Sequence, residues 1–327
     1  MCETRIVSVN NEWSKLHDAF IGIGDEENCV HPTYMDALKW QDAEGIKECE
    51  VLGGKRAIDT TPEEVKLLGE QLDNLANLLA GRGIQVVRSI PLRYPEEIHF
   101  LDDVQKGYVN HDGCDFFLTV GNNVILLNNL RVPCRRKRVW ALRPVLEGVI
   151  QDSNARYVAM PPCSPHYSED DIYLERGDVL MDGFNVFVGH SGNASSLAGI
   201  SWLQQYLGPQ YRVYTVPLHP KILHLDTVCM LNRPGLLTWY PEFIPELPKP
   251  LQHWEKIIME KQTGEDEAFG ANGLMLDENT IVFAEQYDRL VPEYEKRGIE
   301  CITIPFDMPI HWGVGVRCAV GPLRRGN

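Results

Sequence analysis

Three short segments of the chain bring together a thiol, an imidazole and several carboxylates at spacings that could support chemistry. The segment Pro309-Ile-His-Trp-Gly-Val-Gly-Val-Arg-Cys318 delivers a cysteine from a loop in which Gly313 and Gly315 permit close backbone approach or unusual φ angles. Such a cysteine is a candidate nucleophile wherever its surroundings favour the thiolate, although a buried structural cysteine would read the same way. In Ile222-Leu-His224-Leu-Asp226, an extended chain would turn His224 and Asp226 to one surface and the flanking leucines to an apolar layer. That alternation suits a proton shuttle beside a carboxylate. In Leu174-Glu-Arg-Gly-Asp178, Glu175 and Asp178 flank a glycine and could grip a planar cation such as a guanidinium. Asp115 stands at a similar strand start further upstream. No second His or Cys pair stands at ligand spacing around these residues, so no metal is expected.

The elements that must position these groups repeat. Four stretches read as an apolar run, a tight polar turn and a second apolar run, around Gly121-Asn-Asn123, Asp182-Gly183, Asn232-Arg-Pro-Gly235 and Asp277-Glu-Asn-Thr280. Gly, Asn and Asp supply the backbone angles that hairpin turns require. The turns recur at intervals of roughly 45–60 residues, the spacing of repeated supersecondary units. Helical periodicity follows the hairpins, for example over Ala194 to Leu207 and Gln286 to Lys296. Upstream, Thr61-Pro62-Glu63-Glu64 predicts a helix start with Thr61 as N-cap. Its apolar stripe runs through Val65, Leu68, Leu72, Leu75 and Leu79. With Phe20-Ile-Gly-Ile and Cys318-Ala-Val taken as two halves of one further unit, about five units result. Units of this kind, forming one domain over residues 1–327, can close in a ring as a five-bladed α/β propeller of ββαβ units or lie as a flat α/β sheet, and the period alone does not separate the two. In a closed ring, the candidate residues at the ends of the units would converge on a central channel.

Composition sets the outer limits. The 327 residues are 44% hydrophobic and 24% charged, enough for a packed core. A net charge of -15 repels phosphate backbones, so nucleic-acid partners are not expected, and it suits small cationic substrates. The basic run Arg135-Arg136-Lys137-Arg138 reads as the solvated start of a helix. No long apolar run predicts a membrane span, and neither a signal peptide nor a transit peptide is visible. Nine cysteines without a CxxC pair argue for a reducing cytoplasm rather than a disulfide framework.

At these residues the sequence resembles the amidinotransferases, including glycine and inosamine-phosphate amidinotransferases, within the guanidine-modifying pentein superfamily. The resemblance starts at Asn11-Glu12-Trp13 and the following Phe20-Ile-Gly-Ile-Gly-Asp-Glu-Glu-Asn-Cys29. It continues through Asp115-Phe-Phe-Leu-Thr-Val-Gly-Asn, the Asp178 hairpin with Gly199-Ile-Ser-Trp-Leu203, and His224-Leu-Asp226. It ends with Asn272-Gly-Leu-Met-Leu-Asp277 and with Cys318 followed by Pro322-Leu-Arg-Arg-Gly326. This resemblance implies the five-bladed fold and transfer of the amidino group of L-arginine to an acceptor amine without a cofactor. It also implies roles: Cys318 as nucleophile, His224 as acid–base group and Asp178 as its carboxylate partner. Asp115, Asp226, Glu175 and Asn272 are then substrate contacts. Relatives often self-associate, which makes a homodimer compatible with the resemblance.

Two departures bear on the expectation. The family's glycine triplet before the cysteine is reduced here to alternate glycines in Trp312-Gly-Val-Gly-Val. The arginine that glycine-specific members carry beyond the HxD hairpin is missing from Leu236-Leu-Thr-Trp-Tyr-Pro-Glu-Phe243, which points away from glycine as acceptor. The rivals are a hydrolase that gives citrulline and ammonia, and a non-catalytic propeller that binds a cationic ligand.

Overall fold

The computed structural model describes residues 5–24, 43–91, 98–100, 103–105, 115–164, 168–260 and 269–326. Cys2, Cys29, Cys114 and the Asp25–Cys29 part of the amino-terminal resemblance lie outside them.

Among the described residues, five three-stranded sheets share one topology, in which the first strand pairs antiparallel to the second and the second parallel to the third. Blade one takes Val320–Arg325, Leu16–Ile21 and Gln85–Arg88, so the two chain ends do close one unit. Blade two takes Phe117–Val120, Asn123–Leu126 and Arg156–Ala159. Blade three takes Val179–Asp182, Asn185–His190 and Arg212–Pro217. Blade four takes Cys229–Arg233, Leu236–Trp239 and Glu255–Ile258. Blade five takes Leu274–Asp277, Thr280–Ala284 and Glu300–Ile304. A separate two-strand pair joins Ile98–Phe100 to Asp103–Gln105.

Local sequence explains most of this. Gly121, Gly183 and Gly235 hold φ of 58°, 61° and 81° in the hairpin turns, angles that a side chain would resist. The parallel third strand requires a crossover, and helices Pro62–Gly81, Val139–Ile150 and Leu197–Leu207 supply it in blades one to three. The stripe from Val65 to Leu79 is buried as expected. Thr61 does stand at the N-cap of its helix, but its side chain makes no capping bond. Ser196 caps the third helix instead, its hydroxyl accepting from the Gly199 N–H at 3.0 Å. Blade four lacks an α-helical crossover. Prolines 241, 245, 248 and 250 fall in that stretch, and only the 3-10 turn Lys249–Leu251 forms. In blade five, the 3-10 segment Glu285–Leu290 leads into a short α-helix, Val291–Glu295.

Arg135–Arg138 departs furthest from its sequence reading. It lies in the 3-10 segment Pro133–Arg138 ahead of helix Val139–Ile150, and both Arg135 and Arg138 are buried. Arg138 stacks its guanidinium over the Phe116 ring at 5.4 Å, so at least half of this run is core rather than solvated face.

Candidate active site

Each blade is preceded by a short turn, and the buried functional groups stand on those turns. Asp115, Asp178, Asp226, Asn272 and Cys318 fall just before strands that begin at Phe117, Val179, Cys229, Leu274 and Val320. All five side chains are at most 3% exposed, so pseudo-symmetry gathers them in one buried region. The turns Arg176–Asp178 and Leu225–Thr227 are 3-10 segments. His224 and Asp226 therefore reach the site around a turn rather than through strand alternation, since only His224 holds extended angles.

The sulfur of Cys318 lies 3.1 Å from Asn272 Nδ2 and 3.5 Å from Asp226 Oδ2. Asn272 holds the cysteine from two directions, because its Oδ1 also accepts from the Cys318 N–H at 3.1 Å. Gly315 makes this possible, since any Cβ there would collide with the Asn272 amide. Asp226 is fixed by Arg317, whose Nη1 donates to Oδ2 at 2.8 Å. Arg317 is itself anchored to Glu12 at 3.1 and 3.2 Å and to the Val179 carbonyl at 2.8 Å. The other oxygen of Asp226, Oδ1, is buried without a hydrogen-bond partner among the described residues. A fully buried, unsatisfied carboxylate oxygen is costly, and here it stands beside the thiol as a ready acceptor for a donor from outside.

His224 belongs to a second cluster. Its Nε2 lies 2.9 Å from Glu175 Oε2, and the same oxygen accepts from Arg135 Nη1 at 2.5 Å. Arg135 Nη2 reaches Asp115 Oδ2 at 2.7 Å, while Asp115 Oδ1 accepts from the Gly177 N–H at 3.1 Å. Asp178 is not the hydrogen-bonding partner of His224, contrary to the role the resemblance implied. Its oxygens accept from the backbone N–H groups of Leu225 and Ser195 at 3.1 and 3.0 Å, and Glu175 takes the imidazole. The reason is local: Asp178 ends the 3-10 turn and ties the two neighbouring loops together. Among the described residues His224 and Cys318 are not hydrogen-bonded to each other. Both feel the charge of Asp115.

Charge sets the protonation states. Burial alone would lower the His224 pKa, but Asp115, the bond to Glu175 and Asp178 outweigh it and raise it to about 9. Burial would likewise raise Glu175, yet Arg135 and His224 hold it down at about 2. Burial pushes Asp178 up to about 7, with His224 pulling the other way. Cys318 is held well above the usual thiol range by burial, then by Asp226 and Asp115. These shifts favour Cys318 as a thiol and His224 as a buried imidazolium in the free site.

Asp115, Glu175 and His224 offer ligand atoms close enough together to suggest a metal. Arg135 already donates to both carboxylates, so a cation occupies that point as part of the chain. Replacing Arg135 by Met would remove the guanidinium that pairs with Asp115 and leave His224 as the cation facing Glu175. We expect a loss of about 3–5 kcal/mol of stability, measured by urea unfolding at neutral pH. Unchanged stability would mean that the buried pairs do not form.

Sequence reasoning missed Arg135, Arg317 and Glu12. Arg317 adjoins Cys318 and Glu12 sits in the Asn-Glu-Trp segment, so both had a signal; Arg135 was hidden in a run of like charges.

The comparisons with known proteins follow this geometry. No protein-family model matches the chain. L-arginine:L-lysine amidinotransferase of Pseudomonas savastanoi pv. phaseolicola is 27% identical over 361 residues, covering 99% of this chain and 95% of that protein. The chain is amidinotransferase-like. The uncharacterized protein YkgA of Bacillus subtilis (strain 168) is 31% identical over 159 residues, 48% of this chain and 54% of that one. Among solved structures, SxtG, an amidinotransferase from Microseira wollei in the saxitoxin biosynthetic pathway, superposes with a TM-score of 0.83 at 22% identity, covering 98% of both chains. DDAH from Pseudomonas aeruginosa, complexed with citrulline, superposes at 0.66 with 15% identity, covering 94% of this chain and 99% of that one. The amidinotransferase-like chain therefore has the pentein fold, the pseudo-symmetric α/β propeller that the resemblance implied. No described helix is long and apolar enough to cross a membrane.

Proposed function

We propose that the protein transfers the amidino group of L-arginine to an acceptor amine other than glycine, through a covalent intermediate on Cys318. The observation that carries this reading is the unsatisfied Oδ1 of Asp226, a buried carboxylate that touches the Cys318 thiol and lies two residues from His224. A guanidinium N–H donated to that oxygen would place the electrophilic carbon against sulfur. Its positive charge would also offset the burial and negative neighbours that keep Cys318 protonated, so the substrate helps to ionise its own nucleophile.

With the thiol proton lost, the thiolate attacks the guanidinium carbon and forms a C–S bond. His224, as imidazolium, gives its proton to the departing nitrogen, the C–N bond breaks, and ornithine leaves. An amidino–cysteine remains, with His224 neutral. The acceptor amine then attacks the same carbon, His224 takes its proton, and the C–S bond breaks to release a new guanidino compound. In this scheme Glu175 keeps His224 charged and oriented, Asp178 holds the loops of residues 195 and 225, and Asn272 positions the sulfur. Asp115 contributes charge to both halves of the site. No step calls for a metal or an organic cofactor. The absence of an arginine in Leu236–Phe243 supports an acceptor other than glycine, and free cysteines at 49, 163, 229, 301 and 318 suit a reducing cytoplasm.

A hydrolase would share the first half-reaction and then admit water, and the DDAH-like fold carries that alternative. The relatives matched over nearly the whole chain are amidinotransferases, which favours transfer. Isotope-labelled arginine incubated with the protein and a panel of amines decides between them. Ornithine should appear together with a labelled guanidino product. Citrulline and ammonia formed without any amine would sink the transferase reading.

A further inference from the structure

The turns of the site carry four buried carboxylates, and nearly all of their oxygens are already committed. Asp115 accepts from the Gly177 N–H on one oxygen and from Arg135 on the other. Glu175 accepts from the Arg131 N–H on Oε1, while its Oε2 meets Arg135 and His224. Both oxygens of Asp178 accept from backbone N–H groups. On Asp226, Oδ2 takes both the Arg317 guanidinium at 2.8 Å and the Cys318 thiol at 3.5 Å. Asp226 Oδ1 is thus the one open oxygen of these four groups among the described residues.

Arg317 fixes which oxygen stays open. A guanidinium presents five N–H donors in a rigid fork, and four of those of Arg317 are in use. Its Nε–H and one Nη2–H go to Glu12 Oε2 at 3.2 and 3.1 Å, and Nη2 also donates to the Val179 carbonyl at 2.8 Å. One Nη1–H goes to Asp226. Glu12 is held in turn, its Oε1 accepting from the Met181 N–H at 3.2 Å. Val179 and Met181 lie on one strand of blade three, so the fork spans the amino-terminal segment, that strand and the loop of the nucleophile. Turning it toward Oδ1 would break it from Glu12 and Val179. Burial alone would lower the Arg317 pKa, but Glu12 and Asp226 raise it, so the fork keeps its charge.

A carboxylate with both oxygens open takes a guanidinium through two parallel bonds, which locks the two planes together. With one oxygen open, the guanidinium docks through a single bond and stays free to turn its face, from which its carbon is attacked, toward Cys318. We infer that Arg317 is a positioning residue for amidino transfer: it occupies Asp226 Oδ2 so that the substrate guanidinium docks on Oδ1 alone. This weakens ground-state binding and favours the reacting geometry. The inference rests on the covalent mechanism above, and Arg317 acts in it through Asp226 rather than on the substrate.

Removing Arg317 alone would leave Glu12 and Asp226 sealed without their cation, so the test uses the charge-balanced variant Glu12→Gln/Arg317→Met, whose glutamine still accepts from Met181. Arginine affinity is measured by calorimetry in proteins that also carry Cys318→Ser, and ornithine release is measured with Cys318 intact. The double variant should bind arginine about 10-fold more tightly, roughly what one added charge-assisted hydrogen bond contributes. Its kcat should fall about 10²-fold, the scale of a misplaced reacting group. Arg317→Lys keeps a cation for Oδ2 without the fork, and it should move both quantities in the same directions by smaller factors. That variant decides the matter alone if urea unfolding shows the double variant to be unfolded. Affinity and kcat that fall together, as in a merely damaged site, or an unchanged kcat, overturn the positioning role and leave the covalent mechanism standing. If the wild type releases no ornithine from arginine, or Cys318→Ser does not bind arginine, the mechanism fails and the inference fails with it.

Discussion

Cys318→Ser protein is expected to release ornithine from arginine at least about 10⁴ times more slowly than the wild type, the scale of loss seen when a covalent nucleophile is removed. The substitution should not unfold the chain. Asn272 Oδ1 bonds the backbone N–H of residue 318, which serine retains, and a hydroxyl can accept from Asn272 Nδ2 as the sulfur does. Loss of turnover can therefore be assigned to chemistry. A second readout tests how the nucleophile ionises. Burial, Asp226 and Asp115 hold the free thiol protonated, so binding a guanidine that cannot be cleaved should expel a proton to solvent. A pH-stat measurement should detect that proton with the wild type and none with Cys318→Ser. If the wild type releases no proton either, the thiolate exists before substrate arrives and the substrate-assisted account is wrong.

Glu175→Gln should produce the next largest loss, about 10²–10⁴-fold in kcat, because it removes the carboxylate that is bonded to His224 and that, with Asp115, keeps it a charged acid. The direction of the pH effect follows from the site. His224 titrates near 6.5 when unfolded and is raised to about 9 in the folded protein. The stabilisation that this represents is complete below about 6.5 and is lost as pH rises through about 9. Wild-type stability should thus fall over that window in urea titrations, and the fall should be shallower in Glu175→Gln. The imidazole resonance of His224 should titrate at lower pH in the variant. Asp178→Asn serves as the contrast. It weakens two backbone contacts, costing about 1–3 kcal/mol of stability, with a smaller displacement of the His224 titration. If Asp178→Asn shifts His224 further than Glu175→Gln does, Asp178 is the true partner of the imidazole and the observed bond to Glu175 does not govern the chemistry.

Much of the architecture was legible in the chain because it depends on short-range physics. Turn residues with positive φ set the hairpins, the period of leucines in Pro62–Gly81 set a buried helix face, and their repetition set the number of blades. The candidate groups Asp115, Asp178, Asp226 and Cys318 were legible for the same reason, since each stands at an equivalent point just before a blade, whereas Asn272 was named only by the family resemblance.

Only the tertiary structure decided how those groups are paired. Glu175 lies in the same turn as Asp178, and a sequence cannot say which carboxylate meets an imidazole 49 positions away in the chain. Burial decided the fate of Arg135 as well. A run of four basic residues is usually solvated, but once Asp115 and Glu175 are sealed from water, only a nearby guanidinium can compensate both, and Arg135 is within reach. Sequence by itself determined the blades and the inventory of reactive side chains, since these follow from backbone conformation and local apolar patterning, while closure into a ring rather than a flat sheet was decided by the fold. The assignment of hydrogen bonds, and with it the protonation of His224 and Cys318, came from the fold alone, because electrostatic energies are set by distance and burial in space rather than by separation along the chain.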